Sequence, residues 1–394
     1  MSGCQPLILL RSRLQEMKSQ RLDRTLTPVG PVTGPRVTVR GRDCLLMASN
    51  DYLGLSRHPL LSRAAQEAAQ YWGTSSGASR LVSGTLDGHV ALERAIADFK
   101  GAEAAIFLAT GYMTNLAVLT GLAGPGDLIV SDELNHASII DASRLCRARV
   151  EIYPHCNVEE AGRLLEKAPC SGLRLLVTDG VFSMDGDLAP LPELVELARK
   201  YQALLVIDDA HATGVWGKRG RGTLEHFGME PDPEVVNVGT ISKALGGFGG
   251  FVAGASEVIG TLVHRARSLL YTTAPPPAQV AVAQAALGLV DAEPWRREKL
   301  HQLSARLRRN FMDRGFRMLS REGPIIPVLV GEAGKAAELA EGLWREGVFA
   351  PAIRPPTVAR GTSRIRFSVT AAHSEEDMDY TAEALAKASQ EAGL

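Results

Sequence analysis

Lys243 stands in the string Thr240-Ile241-Ser242-Lys243-Ala244-Leu245-Gly246, flanked by hydroxyls and followed by Gly247, Gly249 and Gly250. That is an unusual setting for a solvated surface lysine. Upstream, Val206-Ile207-Asp208-Asp209-Ala210-His211 sets acids and a histidine at the carboxyl end of an apolar run. Open α/β sheets bind ligands at the carboxyl ends of their strands, so this position favours chemistry over packing. Taken singly, either residue is as readily structural. Together, Lys243 and Asp208 supply what pyridoxal phosphate (PLP) chemistry needs: a lysine for a Schiff base and a carboxylate that keeps the pyridine nitrogen protonated. The protonated ring is then an electron sink for a carbanion at the substrate α-carbon.

A phosphate cradle is offered by Thr110-Gly111-Tyr112-Met113-Thr114-Asn115, where a helix begins directly after the strand-like run 104–109. Free amides at a helix amino terminus favour anions, and Gly111 lets the backbone approach closely. The alternative for Gly111 is an ordinary turn glycine. His136, in Asn135-His136-Ala137-Ser138, lies past the next strand and could cover a planar ring, or simply cap a helix. Ser183, in Val181-Phe182-Ser183-Met184-Asp185-Gly186-Asp187, follows a further strand, with Asp185-Gly186 forming a turn.

These residues need a scaffold that brings several strand ends to one edge. Short β-branched runs at 104–109, 127–131, 149–153, 173–178, 203–208, 235–239 and 249–253 alternate with helical periodicity, as in Leu191 to Tyr201. The pattern predicts an α/β fold with one wide, mostly parallel sheet. Near Tyr271 it changes. Pro275 to Pro277 interrupt it, and a long helix carrying Leu300, Leu303, Leu307 and Phe311 on one side follows. Strands at 325–330 and 364–370, with helices near 334–345 and 375–387, suggest a smaller α+β unit. The expected divisions are a polar, Pro- and Gly-containing lead-in (1–45), a large cofactor-binding domain (46–285) and a small carboxy-terminal domain (286–394).

Two strings suggest other chemistry. Gly73-Thr74-Ser75-Ser76-Gly77 matches the GxSxG elbow of serine hydrolases, but a helical stretch ending in Tyr71-Trp72 precedes it where a strand is required. The basic run Arg296, Arg297, Lys299, Arg306, Arg308 and Arg309 reads as the solvated face of one helix, the alternative being a patch for an anionic substrate. No GxGxxG, Walker A or HExxH string occurs.

The 394 residues are 45% hydrophobic, enough for more than one packed unit. With 43 basic and 44 acidic residues, bulk charge argues against nucleic acid or anionic membrane as partners. Five cysteines (4, 44, 146, 156 and 170) lack paired spacing, which fits reduced thiols in a cytoplasm. The apolar run Pro6 to Leu10 is shorter than a secretory core, and Val280 to Val290 is too short to span a bilayer. No metal site is expected.

The motifs Ser49-Asn50-Asp51-Tyr52-Leu53-Gly54, Asn135-His136-Ala137-Ser138, Thr178 to Gly186, Asp208-Asp209-Ala210-His211 and Thr240-Ile241-Ser242-Lys243 together resemble the α-oxoamine synthase family. These are fold-type-I PLP transferases, similar to aspartate aminotransferase. The resemblance runs from about residue 24 to 380. It implies a homodimer with active sites at the interface, Lys243 as Schiff-base lysine and α-proton base, Asp208 at the pyridine nitrogen and His136 stacked on the ring. It further implies Ser183 and His211 near the phenolic oxygen, with Gly111, Tyr112 and Thr240 around the phosphate. Thr272 or Thr273 would reach across from the other subunit. Asn50 and Arg366 would hold the amino-acid carboxylate, the alternative for Arg366 being a strand-edge surface arginine. Arg24 would lie near the acyl substrate, and Thr357 near the cofactor or the acyl chain. The string Ala352 to Val358, followed by Gly361-Thr362 and Arg364-Ile365-Arg366, resembles the biotin-pathway branch. That branch condenses L-alanine with pimeloyl-CoA, or pimeloyl on a carrier protein, to 8-amino-7-oxononanoate. Alternatives are a glycine C-acetyltransferase, a synthase of broad specificity, and the less similar serine palmitoyltransferase and 5-aminolevulinate synthase. Asp179 stands where some relatives carry Glu. A hydrolase using Ser75, and an inactive cofactor-binding protein, are the readings from other classes.

Overall fold

The computed structural model describes residues 5–20 and 22–394, so Cys4 lies outside the described residues. The chain divides into two units. One comprises the described residues of Met1–Ser49 with Met184–Gly186 and Leu300–Leu394; the other comprises Asn50–Ser183 and Asp187–Lys299. The lead-in is therefore grouped with the carboxy-terminal unit, and the later division falls inside the helix Trp295–Asp313, at Lys299/Leu300 where 285/286 was expected.

The lead-in is more regular than its composition suggests. A helix at Gln5–Ser19 precedes three antiparallel strands, β1 (Val29–Thr33), β2 (Arg36–Val39) and β3 (Arg42–Leu46). Val37 and Val39 of β2 and Cys44 and Leu45 of β3 are buried, while Thr38 between the valines is exposed, the alternation of a half-buried strand.

In the larger unit every expected strand forms. They are β4 (Ala104–Leu108), β5 (Leu128–Asp132), β6 (Arg149–Tyr153), β7 (Arg174–Asp179), β8 (Ala203–Asp208), β9 (Val235–Thr240) and β10 (Gly250–Gly254), in one sheet of order β4-β10-β9-β8-β7-β5-β6. The neighbours from β9 to β6 pair in parallel, and β10 runs antiparallel to both β4 and β9. Helices cover both faces. Leu175, Val177 and Val206 pack with Val118, Leu119 and Leu122 of the helix Gly111–Leu122 on one side. On the other, Leu176, Leu205 and Ile207 pack with Leu191, Leu194 and Val195 of the helix Leu191–Tyr201. Burial on both faces is why these strands read as unbroken apolar runs. The register pairs Asp179 with Asp208, so the carboxyl ends of β7 and β8 are level.

The other unit adds β11 (Ile325–Gly331), β12 (Val348–Phe349), β13 (Ala352–Ile353) and β14 (Ser363–Ser368). The order β11-β14-β13 makes a three-stranded sheet, and β12 pairs in parallel with β3. Helices Ala333–Arg345 and Glu375–Glu391 complete it. Leu300, Leu303, Leu307 and Phe311 are all buried, as their spacing requires. The basic run on that helix is not uniformly a solvated face. Arg297 is 6% exposed, donating to the carbonyls of Val290 and Lys218, and Arg308 is 8% exposed, donating to Ser320 Oγ and the Gly323 carbonyl. Unused carbonyls at helix ends and turns accept these guanidinium N–H groups, which a charge pattern alone does not reveal.

Among the described residues, no helix is long and apolar enough to cross a membrane. Cys44, Cys146, Cys156 and Cys170 form no disulfide.

Beneath the strand ends lies a fully buried ion pair. Lys100 Nζ donates to Asp209 Oδ2 at 3.1 Å and to the Arg221 carbonyl, while Thr223 donates to both oxygens of Asp209. Removing one member of a buried pair leaves the other charge uncompensated, at a cost of about 3–5 kcal/mol. Lys100→Met should therefore lower the unfolding free energy by about that amount, measured by denaturant titration. A change under about 1 kcal/mol would refute a structural role for the pair.

Candidate active site

The carboxyl ends of β5, β7, β8 and β9 and the start of the helix after β4 enclose a cavity of about 240 Å³. Gly111, Tyr112, His136, Ser183, Asp208, His211, Thr240 and Lys243 line it. Thr272 is half-buried and Thr273 exposed, and neither lines this cavity.

At one end Thr110 caps the helix Gly111–Leu122, its hydroxyl accepting from Met113 N–H. The amides of Gly111 and Tyr112 occupy the first turn, where no intrahelical acceptor exists. A Cβ on Gly111 would project to 3.5 Å from Thr240 Cβ and Oγ1, so glycine keeps the gap between helix terminus and Thr240 open. Thr240 Oγ1 is fixed by donation to the Gly249 carbonyl and lies 2.7 Å from Ser242 Oγ. Lys243 is the third residue after the end of β9, in a turn closed by Gly246 N–H to its carbonyl. Gly246 has φ +64°, and a Cβ there would lie 2.5 Å from Ser56 N, so this turn admits only glycine.

Asp208 accepts from Ala210 N–H at 2.9 Å and from Asn115 Nδ2 at 2.7 Å. The second Asn115 N–H goes to Ser138 Oγ, whose hydroxyl is left to donate to His136 Nδ1 at 2.7 Å. This chain leaves Nε2 to carry the proton of a neutral His136 ring. Burial lowers His136 below its ordinary range, against the opposing field of Asp208 and with that of Lys243. His136 also caps the helix Ala137–Leu145, so its capping and cavity-lining roles coexist. Asp179, level with Asp208, has one carboxyl oxygen without a hydrogen-bond partner, and burial and then Asp208 push it well above the usual carboxylate range.

Asn115, Ser138 and Asp179 lie within the quoted motifs, but only the structure brings them into the cavity lining. Asn115 lies one turn beyond Gly111, on the same helix face, and that spacing is its one sequence signal.

Other expected residues fall into pairs. Tyr52 hydroxyl lies 2.7 Å from His211 Nδ1 and 3.2 Å from Asn50 Oδ1, connecting Asn50 to the cavity lining. In the other unit Arg24 Nη2 donates to Thr357 Oγ1, and Arg366, 8% exposed, donates to Ser368 Oγ. Ser75 is exposed in the loop after the helix Pro59–Trp72 and its hydroxyl accepts from Gly77 N–H, so the strand–turn–helix setting of a hydrolase elbow is missing.

The cavity fits PLP: an anion-binding helix terminus and an open gap for phosphate, a carboxylate furnished with donors, a lysine, and an imidazole. Gly250 is the tight point of the cradle. A Cβ there would sit 2.9 Å from both N and Cα of Gly111. Gly250→Ala should displace the helix terminus and weaken PLP binding by roughly 1–3 kcal/mol, read by equilibrium titration of bound-cofactor absorption. Wild-type affinity would show that the cradle does not depend on this contact.

Residues 42–385 match the family model for class I and II aminotransferases. The chain is 47% identical over 387 residues to an 8-amino-7-oxononanoate synthase from Geobacter sulfurreducens, covering 98% of this chain and 99% of the relative. A serine palmitoyltransferase from S. paucimobilis, solved with a bound PLP–myriocin aldimine, superposes with TM-score 0.92 at 30% identity, covering 98% of this chain and 97% of the other. An 8-amino-7-oxononanoate synthase from Francisella tularensis gives TM-score 0.77 at 26% identity, with coverages of 89% and 99%. With the whole chain covered by both kinds of likeness, and a cavity that meets the demands of the cofactor, the protein belongs to the class I and II aminotransferase family and, within it, to the PLP-dependent α-oxoamine synthases.

Proposed function

We propose that this enzyme condenses L-alanine with pimeloyl-CoA, releasing CoA and CO₂ and giving 8-amino-7-oxononanoate, a step of biotin synthesis. The observation that carries the reading is the full-length 47% identity to a relative named for that product. Bound PLP supplies the electron sink for negative charge at the substrate α-carbon.

Lys243 would hold the cofactor aldehyde through its amine, and the same amine would serve as base for the substrate α-proton. Asp208 keeps the proton on the pyridine nitrogen, and Asn115, donating to its carboxylate, fixes its orientation. His136 would cover the ring face, and Ser183 and His211 would contact the phenolic oxygen, with Tyr52 orienting His211. The Gly111 and Tyr112 amides and Thr240 hold the phosphate, helped by Thr272 or Thr273 of a second subunit in a homodimer. Asn50 and Arg366 bind the amino-acid carboxylate, for which a planar guanidinium suits bidentate contact. Arg24 and Thr357, hydrogen-bonded to each other, lie on the acyl side. The compartment is the cytoplasm.

CoA release by the PLP-loaded protein tests the substrates. L-Alanine with pimeloyl-CoA should give faster release than glycine with acetyl-CoA, and than either donor alone. Preference for glycine and acetyl-CoA would reassign the enzyme as a glycine C-acetyltransferase, and release without amino acid would indicate a thioesterase. Lys243→Ala should abolish turnover together with the visible band of lysine-bound cofactor. Full activity in that variant would end the assignment of Lys243.

A further inference from the structure

Behind the strand ends, His155, Asp132, Asp187 and Cys156 form a cluster that does not line the cavity. His155 follows β6. Its Nδ1 lies 3.1 Å from Asp132 Oδ1 and its Nε2 2.7 Å from Asp187 Oδ2. A neutral imidazole has one N–H and can serve one carboxylate; the imidazolium serves both. Burial pushes His155 toward neutrality, but its hydrogen bonds to Asp132 and Asp187, assisted by Cys156, raise it to about 12. Cys156 Sγ lies 3.7 Å from Nδ1 and 3.6 Å from Nε2.

Each carboxylate belongs to a turn that feeds the cavity. Asp132 ends β5, accepting from Leu134 N–H with one oxygen and from Cys156 N–H with the other, and the turn it shapes carries Asn135 and His136. Asp187 closes the loop that carries Ser183: Phe182 N–H donates to its carbonyl at 3.0 Å, and Val181 bridges Leu188 beside it. The Phe182 ring packs edge-on against the His155 ring, with centroids 4.3 Å apart.

We propose that His155 is a positioning residue of the cofactor site, a charged tie that fixes the turn bearing His136 and the loop bearing Ser183 relative to each other. The tie rests on the reading of those two residues as cofactor contacts. It touches neither cofactor nor substrate, and acts through Asp132 and Asp187.

The test is PLP affinity of full-length holoenzyme, followed by the visible absorption and circular dichroism of the bound cofactor, in His155→Gln, Asp187→Asn and their double variant. Each single substitution should weaken PLP about tenfold and shift the cofactor's dichroism, and the double should be no worse than the weaker single, because both break one tie. Wild-type affinity in both singles, or multiplicative losses in the double, would overturn the proposal. Ser183→Ala tests the underlying assignment separately: an unchanged cofactor band there removes Ser183 from the cofactor, whereas the tie stands or falls on the paired variants.

The charge of the tie has its own signature. The groups facing His155 are Asp132, Asp187 and Cys156, with Glu133 accepting from its backbone N–H. Because its folded value is raised above 6.5, its contribution to stability is complete below that pH and is lost as pH rises toward 12. The stability lost in His155→Gln should thus be larger at about pH 6 than at about pH 9. A difference independent of pH would overturn the charged tie.

Discussion

The parallel register of β7 and β8 is the constraint on which the site depends. It sets Asp179 level with Asp208, so the buried Asp179 carboxyl is held against the charge of its neighbour. The chain resolves the conflict by unequal furnishing. Asp208 receives the Ala210 and Asn115 N–H donors, while Asp179, buried with one oxygen unpartnered, is pushed toward its neutral form. Asp208, the acid proposed to hold a proton on the cofactor nitrogen, is thereby distinguished from its neighbour by its donors.

The strands that build this edge are legible in the sequence because both faces of the sheet are covered, so each strand is a short apolar run bounded by turn residues. The strand-end residues Lys243, Asp208, His136 and Gly111 follow from those runs. The small strands β1 to β3 do not: they are four or five residues long, include Gly30 and Pro31, and are half-buried, which is also how a coil reads. Arg297 and Arg308 mislead for a different reason. All but one of their acceptors are backbone carbonyls, and no side-chain pattern advertises a carbonyl that a turn leaves unused.

What escapes the sequence most completely is the layer of residues that hold the site residues. Asn115 meets Asp208 across 93 positions, Tyr52 meets His211 across 159, and Arg24 meets Thr357 across 333. Local periodicity carries no information over such distances. For Arg24 and Thr357 only the family resemblance indicates a role, and their hydrogen bond puts the two side chains in contact.

The holding layer also gives a reason for burying part of the charge in this chain. A buried ion pair is weak evidence for stability, since apolar residues of equal volume often serve as well. Yet Lys100 with Asp209, and His155 with Asp132 and Asp187, each join segments far apart in the chain beneath or behind one cavity. An apolar contact at these points would tolerate sliding, because dispersion is non-directional, whereas a hydrogen-bonded ion pair fixes both distance and angle. Catalysis on a planar cofactor requires that the lysine, acid and imidazole lining the cavity keep their places to within fractions of an ångström. Directional ties placed just outside the cavity meet that requirement without adding competing charges to its lining.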